Sequence, residues 1–303
     1  MMRSFRLFLA VSLVIWSSNS LAAADENCRP FEVNNGRISI PVNIAGTETR
    51  AIINSGLQTL GVSTALAELL GLEVIEPEPV SAQRARYLPQ LTQLGQLSRV
   101  ENVPVSVFGQ DVQMDQLYVF DQDLPVANLS VMMFQDVVIQ MDYPQSRMCV
   151  LPPTSINLED VANISMRTTL LGAPAIEVII NGREYVWLDF QIGYPGGVSI
   201  DFETAEDLGF LEESPADAGG SGTATAIAES LAFGPYELGG INADYPTEEG
   251  PRVRRSSLED GILRASRQRN RSVQTHGELG YEIMQHFVIT IDFNESRMHI
   301  FAP

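Results

Sequence analysis

The chain has 303 residues, long enough for two domains with real cores, and its 45% apolar content is that of a globular protein. Its net charge is −19 with a pI near 4.4, and every basic residue is Arg. That balance argues against general affinity for nucleic acid or anionic membranes and favours a self-repelling, soluble protein. The first element, residues 1–24, reads as a secretory signal peptide: Arg3 and Arg6, an apolar stretch from Leu7 to Trp16 too short to span a bilayer, and cleavage near Ala24 after small residues. Cys28 follows Asp25-Glu26-Asn27, which is no lipoprotein box, so no lipid anchor is expected. No later stretch is apolar enough to be transmembrane, and the mature chain is expected to be exported, to a periplasm or beyond the cell.

Residues 38–63, ISIPVNIAGTETRAIINSGLQTLGVS, read as an apolar strand, a turn at Gly46, a second apolar strand ending at Asn54-Ser55-Gly56, a short polar turn, and then Gly-Val-Ser. A helix from Thr64 to Leu70 stops at Gly71, a residue suited to a helix end. Residues 128–134, with Ser130 among them, are largely apolar. Residues 137–151 read as a hairpin turning at Tyr143-Pro144-Gln145-Ser146. A loop-like boundary follows at Pro152-Pro153-Thr154-Ser155.

The second half repeats this order. Residues 176–201, IEVIINGREYVWLDFQIGYPGGVSID, give strand, turn at Asn181-Gly182, strand, then Gln191-Ile192-Gly193 and Gly-Val-Ser. A helix runs from Asp201 to Leu208 and stops at Gly209. Gly277 to Met284 matches 128–134, with Gly280 in place of Ser130. The hairpin 287–301 matches 137–151, aligning Asp142 with Asp292, Ser146 with Ser296 and Arg147 with Arg297. A repeat at this long period points to duplicated domains rather than a solenoid.

The twice-occurring motif resembles the retropepsin-like aspartic proteases, in which the second strand ends in Asp-Thr/Ser-Gly. The resemblance implies an all-β fold with short helices: two retropepsin-like acid-protease barrels forming a bilobal molecule, with lobes at 28–153 and 165–303. In that family two Asp side chains share one proton; one activates water while the other protonates the scissile carbonyl. Here Asn54 and Gln191 stand at those positions, and an amide does not titrate near neutral pH. Ser55 keeps the family's hydroxyl; Ile192 does not. Gly56 and Gly193 suit the tight turn. Alone, Asn54-Ser55-Gly56 would read as an ordinary turn; the flanking strands in both halves carry the resemblance.

The register of the second motif has two readings. Counting back from Gly197-Val198-Ser199 puts Gln191 at the acid position. A two-residue bulge would instead put Asp189 there, although alternation favours a solvent-side carboxylate. Either way the partner is Asn54. The expected function is therefore an exported protease-like protein without catalysis, holding an extended peptide or protein between its lobes and using no cofactor. The alternatives are an active aspartic endopeptidase with a non-standard acid pair, for which Asp189 is the candidate acid, and a structural or assembly partner using the Arg-rich segment 251–271.

Two cysteines in an exported chain suggest a Cys28–Cys149 bridge tying the start of the first lobe to its end; two separate buried thiols are the other reading. Gly220 and Gly222 lie where the family's flap begins, as hinge or as surface linker. Seven Arg lie within 251–271, among them Arg254, Arg255, Arg267 and Arg269. They read as a docking loop for an acidic partner or as a solvated loop. His276, His286 and His299 lack metal-ligand spacing, and no metal is expected.

Overall fold

The structure, a computed structural model, describes residues 27–55, 60–77, 98–169, 172–213, 222–247 and 273–303. Strands dominate. In chain order they are β1 (Cys28–Pro30), β2 (Glu32–Asn34), β3 (Arg37–Ile44), β4 (Thr47–Asn54), β5 (Gly61–Ser63), β6 (Ser98–Val107), β7 (Gln110–Phe120), β8 (Ala127–Ser130), β9 (Val138–Asp142) and β10 (Arg147–Leu151). The second half continues with β11 (Met166–Thr168), β12 (Pro174–Ile180), β13 (Glu184–Phe190), β14 (Val198–Ile200), β15 (Thr223–Phe233), β16 (Tyr236–Pro246), β17 (Gly277–Leu279), β18 (Val288–Asp292) and β19 (Arg297–Phe301).

These strands close two barrels of six. The first runs β3-β4-β8-β5-β7-β6 and closes through β3 against β6; the second runs β12-β13-β17-β14-β16-β15 and closes through β12 against β15. The strand order is the same in both. Alternation in the sequence drives each barrel: Ile38, Ile40, Val42 and Ile44 point inward from β3, and Val186, Leu188 and Phe190 from β13. Each such buried side chain contributes about 1.5–3 kcal/mol over exposure.

The turns predicted between the first two strands of each barrel are present. Ala45 and Gly46 have φ of 51° and 83°, and Asn181 and Gly182 have 53° and 63°, so both hairpins turn through two left-handed residues that match strand twist. The two helices that follow the motifs are Thr64–Leu69 and Phe202–Asp207, capped by Ser63 and Asp201 and stopped before Gly71 and Gly209. The long hairpins β6–β7 and β15–β16 carry little sequence signal. Residues 110–116 of β7, 223–227 of β15 and 236–242 of β16 are largely exposed, so the apolar alternation that marks a strand fades there.

The two barrels share a third sheet, ordered β1-β10-β9-β18-β19. Its centre is the antiparallel pairing of β9 with β18, where Gln140 faces Thr290 and donates a hydrogen bond to its hydroxyl at 3.2 Å. These two residues lie 150 positions apart, the offset of the sequence repeat. In the matching turns, Asp142 accepts from the Gln145 N–H and Asp292 from the Glu295 N–H, each at 3.0 Å. Ser146 and Ser296 then adopt φ near 51° and 52°. Cys28 pairs with Cys149 across β1–β10, and the two are disulfide-bonded with Cα atoms 4.0 Å apart. Among the described residues no helix is long and apolar enough to cross a membrane.

Contacts between the halves extend beyond this sheet. The Tyr143 ring packs edge-on against Phe31 and tilted against Tyr281, with centroids 5.7 and 6.1 Å away. Its hydroxyl is buried 3.3 Å from the Met284 sulfur, and burial pushes the phenol's pKa well above its usual value. Gly36 lies so close to Pro195 that an added Cβ would come within 2.6 Å of it.

Candidate functional site at the junction of the two barrels

The site forms where β4 and β13 end. In the first barrel β4 runs parallel to β8, with Ile53 opposite Leu129 and Asn54 opposite Ser130. In the second, β13 runs parallel to β17, with Phe190 opposite Leu279. The next residue, Gln191, donates its N–H to the Leu279 carbonyl at 2.9 Å. The sheet register thus puts Gln191, not Asp189, in the place Asn54 holds in the first barrel. Asp189 stands two residues earlier, half-buried on the face opposite Val186, Leu188 and Phe190, as cross-strand neighbour of Glu278.

The two chain ends meet through Ser55, which is 2% exposed. Its hydroxyl oxygen lies 2.8 Å from the Phe190 carbonyl and 2.6 Å from Gln191 Oε1, and with one proton it donates to one of them at a time. The same oxygen accepts the Ile192 N–H at 3.1 Å. The Ser55 N–H donates to Gln191 Oε1 at 3.3 Å. Asn54 lies against the second motif as well: a Cβ added to Gly193 would stand 3.1 Å from Asn54 Nδ2. Here Gly193 serves close approach. Asn54, Ser55, Gln191, Ile192 and Gly193 are thus brought together.

Other residues singled out in the sequence fall elsewhere. Gly56 lies outside the described residues, as do Gly220 and the arginines Arg254, Arg255, Arg267 and Arg269. Gly222 has φ of 68° at the start of β15 and accepts the Thr247 N–H at 3.0 Å. His286 is exposed after the helix Tyr281–Met284, and His299 is half-buried on β19. Among the described residues no group of three or more His, Cys, Asp or Glu is placed to hold a metal ion.

Ser130 and Gly280, the pair that differs between repeats, have separate local reasons. The Ser130 hydroxyl caps its short helix by accepting the Met132 N–H at 3.1 Å. Gly280 sits under the loop that follows Gln191, and a Cβ there would meet the Gly196 carbonyl and Tyr194 Cδ1 at 2.5 Å.

Two polar pairs in the second barrel were not found from sequence. The Tyr194 hydroxyl donates to Asp244 Oδ2 at 2.7 Å. Burial first, then the Asp244 hydrogen bond and the charges of Asp244, Glu278 and Glu282, push its pKa well up. In Tyr194-Pro195-Gly196-Gly197 a turn is the only visible sequence signal. His276 Nδ1 lies 3.0 Å from Asp201 Oδ2. Asp201 was legible as a helix-starting residue; its histidine partner was not.

What this arrangement offers chemically is hydrogen bonding. Amides at Asn54 and Gln191 supply donors and acceptors but no proton that moves near neutral pH, and the Gln191 oxygen is already held by Ser55. No protein-family model matches the chain, and no curated protein matches it. Similar solved structures include a retropepsin-like aspartic protease from Rickettsia conorii, at 12% identity and a TM-score of 0.29, covering 41% of this chain and 87% of that one. Basic 7S globulin from soybean is similar at 11% identity and a TM-score of 0.46, covering 91% of this chain and 94% of that one.

Proposed function

We propose that this chain is an exported relative of the aspartic proteases that holds an extended peptide between its lobes without cutting it. On this reading the chain is an internal duplication, with lobes at 28–153 and 165–303, and both catalytic acids have been replaced. One observation carries the reading: the equivalent strand ends present Asn54 and Gln191, and Ser55 ties the second amide into a fixed hydrogen-bond set. Family chemistry needs two carboxylates sharing a proton at that junction, and two amides have none to share. Export rests on the signal-like residues 1–24, and the Cys28–Cys149 disulfide is compatible with an oxidising compartment.

Selection of extended peptides from a random library on the immobilised mature chain tests this. The expected result is enrichment of a sequence class, with the bound peptides recovered at full length. Failure to enrich any peptide removes the binding role, and recovery of cleaved peptides removes the loss of catalysis. A second reading, an endopeptidase with an unusual acid pair, is favoured by the cross-strand pairing of Asp189 with Glu278. It requires turnover that Asp189→Ala abolishes.

A further inference from the structure

The pairing of His276 with Asp201 joins three parts of the second barrel. The His276 N–H donates to the Trp187 carbonyl on β13 at 2.9 Å, and its own carbonyl accepts the Asp201 N–H at 2.7 Å. Asp201 caps the helix Phe202–Asp207, its Oδ1 accepting the Thr204 N–H at 2.9 Å. Its other oxygen, Oδ2, faces the imidazole. The next residue after His276 opens β17, whose Leu279 carbonyl holds the Gln191 N–H. The histidine therefore stands at the entry of the strand that supports the interlobe site.

We propose that His276 and Asp201 form a pH-operated latch, which fastens the entry of β17 to the start of helix Phe202–Asp207 when the imidazole is protonated and slackens when it is not.

Among the described residues the charges that act on the imidazole from the helix side are of one sign. Asp201 and Glu203 both lie there, and Glu278 follows on β17 itself. On the strand side Arg167 of β11 stacks 5.2 Å over the Trp187 ring. The hydrogen bond to Asp201 raises the imidazole's pKa; burial opposes this, and the charges of Asp201 and Glu203 add to it. For Asp201, burial pushes the pKa up, but the hydrogen bonds from His276 and Thr204 outweigh it and the net shift is downward.

The signs then follow from linkage. A raised histidine gives stability that is fully present below the free imidazole value, about 6.5, and is lost as pH rises through the higher folded value. A lowered aspartate gives stability present above its free value, about 3.9, and lost as pH falls through the lower folded one. The latch is therefore tightest between about pH 4 and pH 6.5.

Amide hydrogen exchange of the mature chain at pH 5.5 and pH 8, corrected for intrinsic rates, reads the latch locally, and NMR titration of the His276 ring reads it directly. We expect residues 201–206 and 276–279 to lose protection at the higher pH, by up to about tenfold for each unit of imidazole shift, while β18 and β19 do not change. His276→Gln should remove that pH dependence. Asp201→Asn keeps a good helix cap and should move the His276 midpoint down. A His276 midpoint at the free-imidazole value and unmoved by Asp201→Asn, or equal protection at both pH values, would overturn the proposal.

Discussion

Replacing Ser55 by alanine removes one oxygen and disturbs both barrels. That oxygen accepts the Ile192 N–H and donates to either the Phe190 carbonyl or Gln191 Oε1. Ile192 is 1% exposed, so its amide would have no water to turn to. Leaving a buried donor unpaired costs about 1–3 kcal/mol, and a domain of this size loses about 2–4 °C of Tm per kcal/mol. The expected fall is thus about 2–12 °C, read by calorimetry on the oxidised protein. Gln191→Ala should cost less: the hydroxyl keeps its proton directed at Phe190 and the Ile192 amide keeps its acceptor, and what is lost is the acceptor of the Ser55 N–H, a longer contact at 3.3 Å. An unchanged Tm in Ser55→Ala, or a larger loss in Gln191→Ala, would refute this account of how the two strand ends are held.

Three further outcomes are expected. Reducing the Cys28–Cys149 bridge, which spans 121 residues of sequence, should lower unfolding free energy by about 3–5 kcal/mol in urea titrations; no shift in midpoint would contradict this. Gly280→Ala places a Cβ 2.5 Å from the Gly196 carbonyl and should cost about 1–3 kcal/mol, whereas Ser130→Ala at the matching position costs about 1 kcal/mol by loss of its cap; comparing thermal shifts of the two variants checks the order. Asn54→Asp alone should give no proteolysis at acid pH, because Gln191 remains opposite it; appearance of pepstatin-sensitive cleavage would show that one acid suffices.

Local chemistry made much of the fold legible in the sequence. The turns at Gly46 and Asn181-Gly182, the helix stops at Gly71 and Gly209 and the two Asp-to-Ser turns depend on residues within a few positions of one another. The repeat then carried the comparison between halves, so Asn54 and Gln191 could be set side by side before any strand was paired. What stayed hidden is non-local. Pairing of β9 with β18 depends on how two closed barrels meet. Tyr194 and Asp244 are separated by 50 positions, and Asp201 and His276 by 75, with no spacing to announce either pair. The choice between Asp189 and Gln191 needed the partner strand, because only the pairing of Phe190 with Leu279 fixes which residue matches Asn54.

Incubation of the purified protein with a diverse peptide library from acid to neutral pH, with every product identified by mass spectrometry, tests the central claim most directly. The proposed loss of both acids predicts that all peptides survive intact at every pH, in the wild type and in Asp189→Ala alike. Cleavage at defined bonds by the wild type, lost in Asp189→Ala, would contradict it and assign the chain a working acid pair.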